Sequence, residues 1–178
     1  LSGLTIEDTE LPDPFDRKSG QPLSIEEGIG KLKAALAARS DPDFVIIGRT
    51  GAIGATGLED ALKRIAAYQE TGVDAIFLSG LKTQDEIEAC AKACRLPLLL
   101  GAIPKPLLNK ERLSKLGVRA VITGHRPHSA GLFATYETLR EARAGTLGAQ
   151  PEDEALMMER LTRAQDYARF KKTYLTRS

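Results

Sequence analysis

Phe44-Val-Ile-Ile-Gly-Arg-Thr-Gly51 is the stretch on which the fold turns. Four consecutive apolar residues, three of them β-branched and none alternating with polar ones, describe a strand covered on both faces, as strands of parallel sheets are. A helix-like segment from Leu58 to Glu70 follows directly. The same cycle recurs downstream as Ala75-Ile-Phe-Leu78 with a helix over Gln84 to Ala93, and as Leu96-Pro-Leu-Leu-Leu100 with a helix near Lys110 to Leu116. It recurs once more as Val118-Arg-Ala-Val-Ile122 with a helix from about Ser129 to Arg143. Upstream, Leu4-Thr-Ile6 reads as a short strand ending at Glu7-Asp8. Ser24 with Glu27 then forms a capping-box signature ahead of Ile25, Ile29, Leu32, Ala35 and Leu36 at helical spacing. Gly72 and Gly117 precede strands and stop the helices before them, because a residue free to take positive φ ends a helix.

Five consecutive βα units suit either an open doubly wound sheet or a closed eight-stranded barrel. No Gly-x-Gly-x-x-Gly turn follows the first strand, which removes the main support for a dinucleotide fold. A closed (β/α)8 TIM-type barrel would need about three more units upstream, this chain then supplying about the last five units plus C-terminal helices. The chain opens on Leu1, and an upstream segment carrying the remaining units is expected. Residues 1–148 make the barrel portion and residues 149–178 a polar, helical tail, with its helix over Glu152 to Lys172. The Pro- and Asp-rich stretch from Leu11 to Pro22 is a loop of the length lids have.

A net charge of +1 and the absence of a long block of one sign exclude nucleic acid and anionic membrane as expected partners and leave a small polar ligand. No apolar run approaches the roughly 18 residues a membrane span needs, so a cytoplasmic protein is expected. Cys90 and Cys94 are four apart on one helical face and read as small core residues of a reduced protein rather than as a metal site.

In both architectures function gathers beyond the carboxyl ends of the strands. That rule selects Glu7 and Asp8, Arg49, Ser79, the Gly101 region, and Thr123-Gly124-His125. Adjacent residues of a strand point to opposite faces, so of Glu7 and Asp8 one is placed to face a metal and the other to brace the loop. Arg49, between Gly48 and Gly51 as small residues leaving space for a ligand, offers a guanidinium fork for a carboxylate or phosphate; the alternative is a structural ion pair with an acidic neighbour. His125 could donate a hydrogen bond to a substrate carboxylate or an enolate oxygen, or be a satisfied structural histidine. His128, three on, lacks a carboxylate or cysteine beside it and reads as helix-end packing rather than zinc ligation. Arg17 and Lys18 put two cations in the long loop, as closure over an anionic substrate requires.

Leu4-Thr-Ile-Glu-Asp-Thr9, Arg17-Lys-Ser19, Glu26-Glu-Gly-Ile-Gly-Lys31, Asp41-Pro-Asp-Phe-Val-Ile-Ile-Gly-Arg-Thr50, Gly57-Leu-Glu-Asp-Ala-Leu-Lys-Arg64 and Ala67-Tyr-Gln-Glu-Thr-Gly-Val-Asp-Ala75 follow in an order that resembles the isocitrate lyase/phosphoenolpyruvate mutase superfamily. The match covers about Leu1 to Arg143 and is most similar to the oxaloacetate decarboxylase branch, with its Thr-Ile-Glu-Asp-Thr strand end, Arg-Lys-Ser loop and Gly-His after the last strand. The resemblance implies a (β/α)8 barrel that binds Mg2+ at its strand ends and a small 2-oxo-carboxylate on the metal. It places the family's glutamate at Glu7, reaching the metal through water, and the substrate-binding arginine at Arg49. It also places the branch's substrate-contacting histidine at His125 and a gating loop at Arg17, Lys18 and Ser19. The family's directly ligating Asp-x-Asp has no counterpart in the chain and is expected upstream of Leu1.

Two departures bear on the reaction the resemblance implies. Lyases of the superfamily carry a Lys-Lys-Cys-Gly-His loop whose cysteine transfers a proton, whereas Arg17-Lys-Ser-Gly20 stands here, and a hydroxyl is too weak an acid for that task. Gly51 stands where relatives place Asp, Glu or Asn. The reading is a lyase decarboxylating oxaloacetate to pyruvate and CO2. The alternatives are a carbon–carbon lyase acting on isocitrate or methylisocitrate, a phosphonomutase, or a non-catalytic barrel relative. Terminal helices exchange between subunits in the resembling family, so the apolar pattern of the tail implies a homo-oligomer, a dimer of dimers.

Overall fold

The structure is a computed structural model and describes residues 1–11 and 20–175. The loop residues Arg17, Lys18 and Ser19 lie outside the described residues. Contacts divide the chain into two compact units, Leu1–His125 and Arg126–Ser178. The fifth repeat is thus split: its helix belongs to the second unit.

The first unit alternates strand and helix: β1 (Gly3–Glu7), α1 (Ile25–Ala38), β2 (Val45–Thr50), a single-turn α2 (Ala52–Ala55) and α3 (Leu58–Gln69). It continues as β3 (Ala75–Leu78), α4 (Gln84–Ala93), β4 (Leu98–Leu100), a 3-10 turn (Lys105–Leu107), α5 (Lys110–Lys115) and β5 (Val118–Val121). The five strands are parallel and neighbour one another in chain order, β1-β2-β3-β4-β5. A doubly wound sheet reverses its strand order at a switch point. Here each helix returns the chain to the next strand on the same side, the progression of a (β/α) barrel.

Local chemistry explains the boundaries. Ser24 Oγ accepts from Glu27 N at 3.1 Å and starts α1, and Thr83 with Glu86 makes a reciprocal capping box that starts α4. Gly72 and Gly117 take φ of +97° and +81°, the left-handed backbone that ends α3 and α5. β2 reaches three residues past Ile47, so Arg49 is within the ladder rather than beyond it.

Side chains alternate across the sheet and separate two layers of different chemistry. Ile46, Ile76, Leu78, Leu98, Leu100 and Val118 face the helices and pack with Leu32 of α1, Ile65 and Tyr68 of α3, Ile87 of α4 and Leu113 of α5. Gly48 belongs to this face. A Cβ there would stand 3.3 Å from Leu32 Cδ1 and 3.4 Å from Ile76 Cδ1, so its missing side chain makes room for α1 and not for a ligand. Cys90 is buried in the same core and burial pushes its thiol up to about 11, which keeps it protonated at neutral pH.

The second unit comprises α6 (Arg126–Ala144), α7 (Glu152–Leu161) and α8 (Ala164–Tyr174). The single tail helix expected from Glu152 is broken at Thr162–Arg163, where Arg163 takes φ +54° and turns the chain with neither Gly nor Pro to mark it. Leu132, Phe133, Tyr136 and Leu139 of α6, Leu156, Met157 and Leu161 of α7, and Tyr167 and Phe170 of α8 are all exposed. No described helix is long and apolar enough to cross a membrane.

Candidate functional site at the strand ends

Register assembles the site. Glu7 pairs with Arg49, Arg49 with Phe77, Phe77 with Leu99 and Leu99 with Ala120, so one row crosses all five strands on the face away from the helices. At its β1 end the row turns polar. Arg49 Nη2 lies 3.0 Å from Glu7 Oε1, with the two side chains 34% and 38% exposed. A pair this accessible contributes about 1 kcal/mol or less, so an incoming carboxylate can compete for the guanidinium. The ring of Phe77 lies beneath it, 5.1 Å from the guanidinium carbon to the ring centroid. Such stacking fixes the plane of the fork. Arg49 Nε is buried and has no partner among the described residues. Both readings of Arg49 therefore meet in one side chain: it holds a structural ion pair and still presents unspent donors.

Glu7 and Asp8 do point to opposite faces. Glu7 carries the row, and Lys31 of α1 donates to its main-chain oxygen at 2.5 Å. A cleft of about 340 Å3 beside it is lined by Thr5, Glu7, Thr9, Glu10, Gly20 and Lys31. Asp8 is turned into the helix layer at 3% exposure. Its Oδ2 accepts from Tyr68 Oη at 2.7 Å and from Arg64 Nη1 at 2.9 Å. Burial opposes the charge on Arg64, but hydrogen bonds to Asp60, Tyr68 and Asp8 more than offset it and hold the guanidinium above its usual range. Burial, then the Asp8 hydrogen bond, raise the Tyr68 phenol well above its ordinary value, so it remains a donor at neutral pH. The main chain of Asp8 performs the bracing expected of this pair, accepting from Leu23 N at 2.7 Å where the chain returns from the loop; Glu10 N to Gln21 O at 3.0 Å continues that stem.

Arg64, Tyr68 and Lys31 stand in the motifs that carry the resemblance, but the sequence alone assigns none of them a role at the site. The signal was present in α3, where Asp60, Arg64 and Tyr68 repeat every fourth residue on one face, but nothing local names the partner 56 residues upstream. The remaining strand-end residues are less connected. Ser79 N donates to Thr50 O at 3.1 Å, and a Cβ on Gly51 would stand 3.2 Å from Ser79 Oγ, so these two share one small space. His125 follows β5, three strands from β2 in the sheet order, and is exposed, without a hydrogen bond among the described residues. His128 is an exposed residue inside α6.

Among the described residues no three carboxylate, histidine or cysteine side chains gather into a metal site. Hard divalent cations take about six oxygen ligands, which Glu7 alone does not approach. One carboxylate oxygen of Glu7 is on Arg49, and among the described residues the other has no partner.

With this geometry in hand, the comparisons with known proteins are specific. The model of the family described as phosphoenolpyruvate phosphomutase matches residues 1–143. A protein named oxaloacetate decarboxylase from Rhodopseudomonas palustris strain BisB18 is 46% identical over 165 residues, covering 92% of this chain and 57% of that protein. Another of that name, from Bradyrhizobium diazoefficiens, is 48% identical over 144 residues, covering 81% of this chain and 50% of its own length. The chain thus spans about half the length of the curated relatives it matches. Among solved structures, oxaloacetate acetylhydrolase in complex with 3,3-difluorooxalacetate superposes with a TM-score of 0.74 at 24% identity, over 99% of this chain and 62% of that one. 2,3-Dimethylmalate lyase, a PEP mutase/isocitrate lyase superfamily member, gives 0.74 at 21% identity over 96% and 61%. These two likenesses establish the fold, the α/β arrangement of a TIM-type barrel of which this chain forms a part. Strand order, the polar row at the strand ends and a family match over the whole of the sheet-bearing unit agree: the chain belongs to the phosphoenolpyruvate phosphomutase family.

Proposed function

We propose that the protein decarboxylates oxaloacetate to pyruvate and CO2 in the cytoplasm, with Mg2+ as its cofactor. The observation that carries this reading is Arg49, a guanidinium oriented by Phe77 and weakly held by Glu7 at the carboxyl end of a parallel strand. The relatives' name, oxaloacetate decarboxylase, supplies the substrate. In the reaction the bond from C3 to the distal carboxylate breaks, CO2 leaves, and the electron pair moves onto the 2-oxo oxygen; a proton taken up at C3 then gives pyruvate. A divalent cation, when bound, would supply the electron sink for this step. Arg49 would bind one carboxylate through paired N–H donors, fixing the angle at which the scissile bond stands. His125 would hold the other charged end, and Glu7 would contact the cation through water. The loop residues Arg17, Lys18 and Ser19 would close over the substrate and exclude water.

The expected result is pyruvate release from oxaloacetate above the spontaneous rate, abolished by chelator and restored by Mg2+. Equal rates with and without chelator would remove the reading. Ser19 in place of the lyase cysteine disfavours cleavage of isocitrate or methylisocitrate. A substrate panel that included a phosphonate would expose a carbon–carbon lyase or a phosphonomutase, and turnover of none would favour a non-catalytic relative.

The partner we propose is a second copy of the chain, in a dimer of dimers. The exposed apolar residues of α7 and α8 support it, since that much apolar surface is costly to leave in water. Deleting everything after Gly148 should lower the mass measured by light scattering. An unchanged mass would show that residues 149–178 do not hold the subunits together.

A further inference from the structure

We propose that Asp8 is a positioning residue for the Glu7–Arg49 pair, acting through a polar chain, buried at Asp8, Arg64 and Tyr68 and open to solvent at Thr56, that ties the exits of β1 and β2 to one helix. The inference rests on the assignment of Arg49 as the substrate-binding group. Seven hydrogen bonds make up the chain. Asp8 Oδ2 receives Tyr68 Oη and Arg64 Nη1. Arg64 Nε donates to Asp60 Oδ2 at 2.8 Å, and Thr56 Oγ1 donates to the same oxygen at 2.6 Å. Thr56 N in turn binds Ala52 O at 2.7 Å, closing the turn that follows Arg49, and Ala52 N is held by Thr50 Oγ1 at 3.2 Å. On the other side, Asp8 N donates to Arg49 O at 3.2 Å, and Asp8 is the peptide neighbour of Glu7.

Stability alone does not account for this arrangement. Asp8, Arg64 and Tyr68 are 3%, 5% and 1% exposed, and Asp8 Oδ1 is buried without a partner among the described residues. A buried charge pair is commonly no more stabilising than apolar residues of the same volume, and an orphaned acceptor makes it less so. Hydrogen bonds add direction, which apolar contacts lack. Asp8 fixes the lateral position of the β1 terminus against α3, and Thr56 with Asp60 fixes the segment after β2 against the same helix. Glu7 and Arg49 are thereby held in one frame from the side opposite to the one on which they act.

The test compares Asp8→Asn and the milder Tyr68→Phe with Ile65→Val, a core change on the same helix, in the intact protein. Hydrogen exchange is followed in peptides covering residues 4–11 and 45–57, alongside kcat and KM for oxaloacetate. Exchange in both peptides should rise about tenfold in Asp8→Asn, the scale of one hydrogen bond to a charged group, and by a smaller factor in Tyr68→Phe. Ile65→Val should leave both peptides within about twofold. KM should rise about tenfold in Asp8→Asn while kcat changes less, since the loss is one of alignment in binding. Loosening confined to α3, or equal in Ile65→Val, overturns the proposal, as does an unchanged KM with both peptides loosened. If Asp8→Asn does not fold, Tyr68→Phe decides by the same comparison. A parent protein that does not turn over oxaloacetate removes the substrate assignment and leaves exchange to decide the positioning role.

Discussion

Replacing Arg49 by alanine is expected to lower kcat/KM for oxaloacetate by about 100- to 1,000-fold, a loss of roughly 3–4 kcal/mol of transition-state binding. The side chain is the one cation of the polar row, and the structure leaves its fork partly unspent: Nη2 on Glu7, Nε buried without a partner among the described residues, Phe77 below. Arg49→Lys separates charge from shape. Lysine keeps the charge but not the planar fork, so it should recover only a minor part of the loss, mainly in KM. Steady-state kinetics of the three proteins, each with a thermal melt to confirm the fold, checks this. Full activity in Arg49→Lys would show that a point charge suffices and that the orientation imposed by Phe77 is irrelevant. Full activity in Arg49→Ala would place substrate binding elsewhere.

Most of what positions Arg49 could be read from the chain, because the information is local. Phe44 to Ile47 announces a parallel strand by composition, although β2 begins at Val45 and only its helix-facing residues are buried, and Gly72, Gly117 and Ser24 mark helix ends by conformational preference or hydrogen-bonding capacity. The opposite orientation of Glu7 and Asp8 follows from the two-residue period of a strand. What stayed hidden depends on distance along the chain. The β1–β2 register alone makes Glu7 the partner of Arg49, and only the approach of α3 brings Arg64 and Tyr68 to Asp8. Gly48 illustrates the same limit: beside a candidate arginine it reads as space for a ligand, whereas the space is taken by Leu32 of α1. The break at Arg163 escaped for a further reason, since a left-handed non-glycine residue carries no compositional mark.

The same dependence on packing gives two glycines of one helix opposite signs. Gly28 and Gly30 both lie within α1, where replacing glycine by alanine gains about 1 kcal/mol of helix propensity. At the exposed Gly30 an added Cβ meets nothing within 4 Å, so Gly30→Ala should stabilise the protein by about 0.5–1 kcal/mol. At Gly28 the Cβ would stand 2.3 Å from Tyr68 Oη and 2.8 Å from Cζ. Tyr68 cannot withdraw cheaply, because its ring is 1% exposed and its hydroxyl is bonded to Asp8. Overpacking costs about 1–3 kcal/mol, and loss of the donor to a buried carboxylate costs a similar amount. After the propensity gain is subtracted, Gly28→Ala should destabilise by about 2–4 kcal/mol. Denaturant midpoints of the two variants, compared with the parent at one pH, measure the difference directly. A shift of the same sign at both positions would mean that α1 can move away from α3, and that Gly28 is not what seats the Tyr68 hydroxyl beneath Asp8.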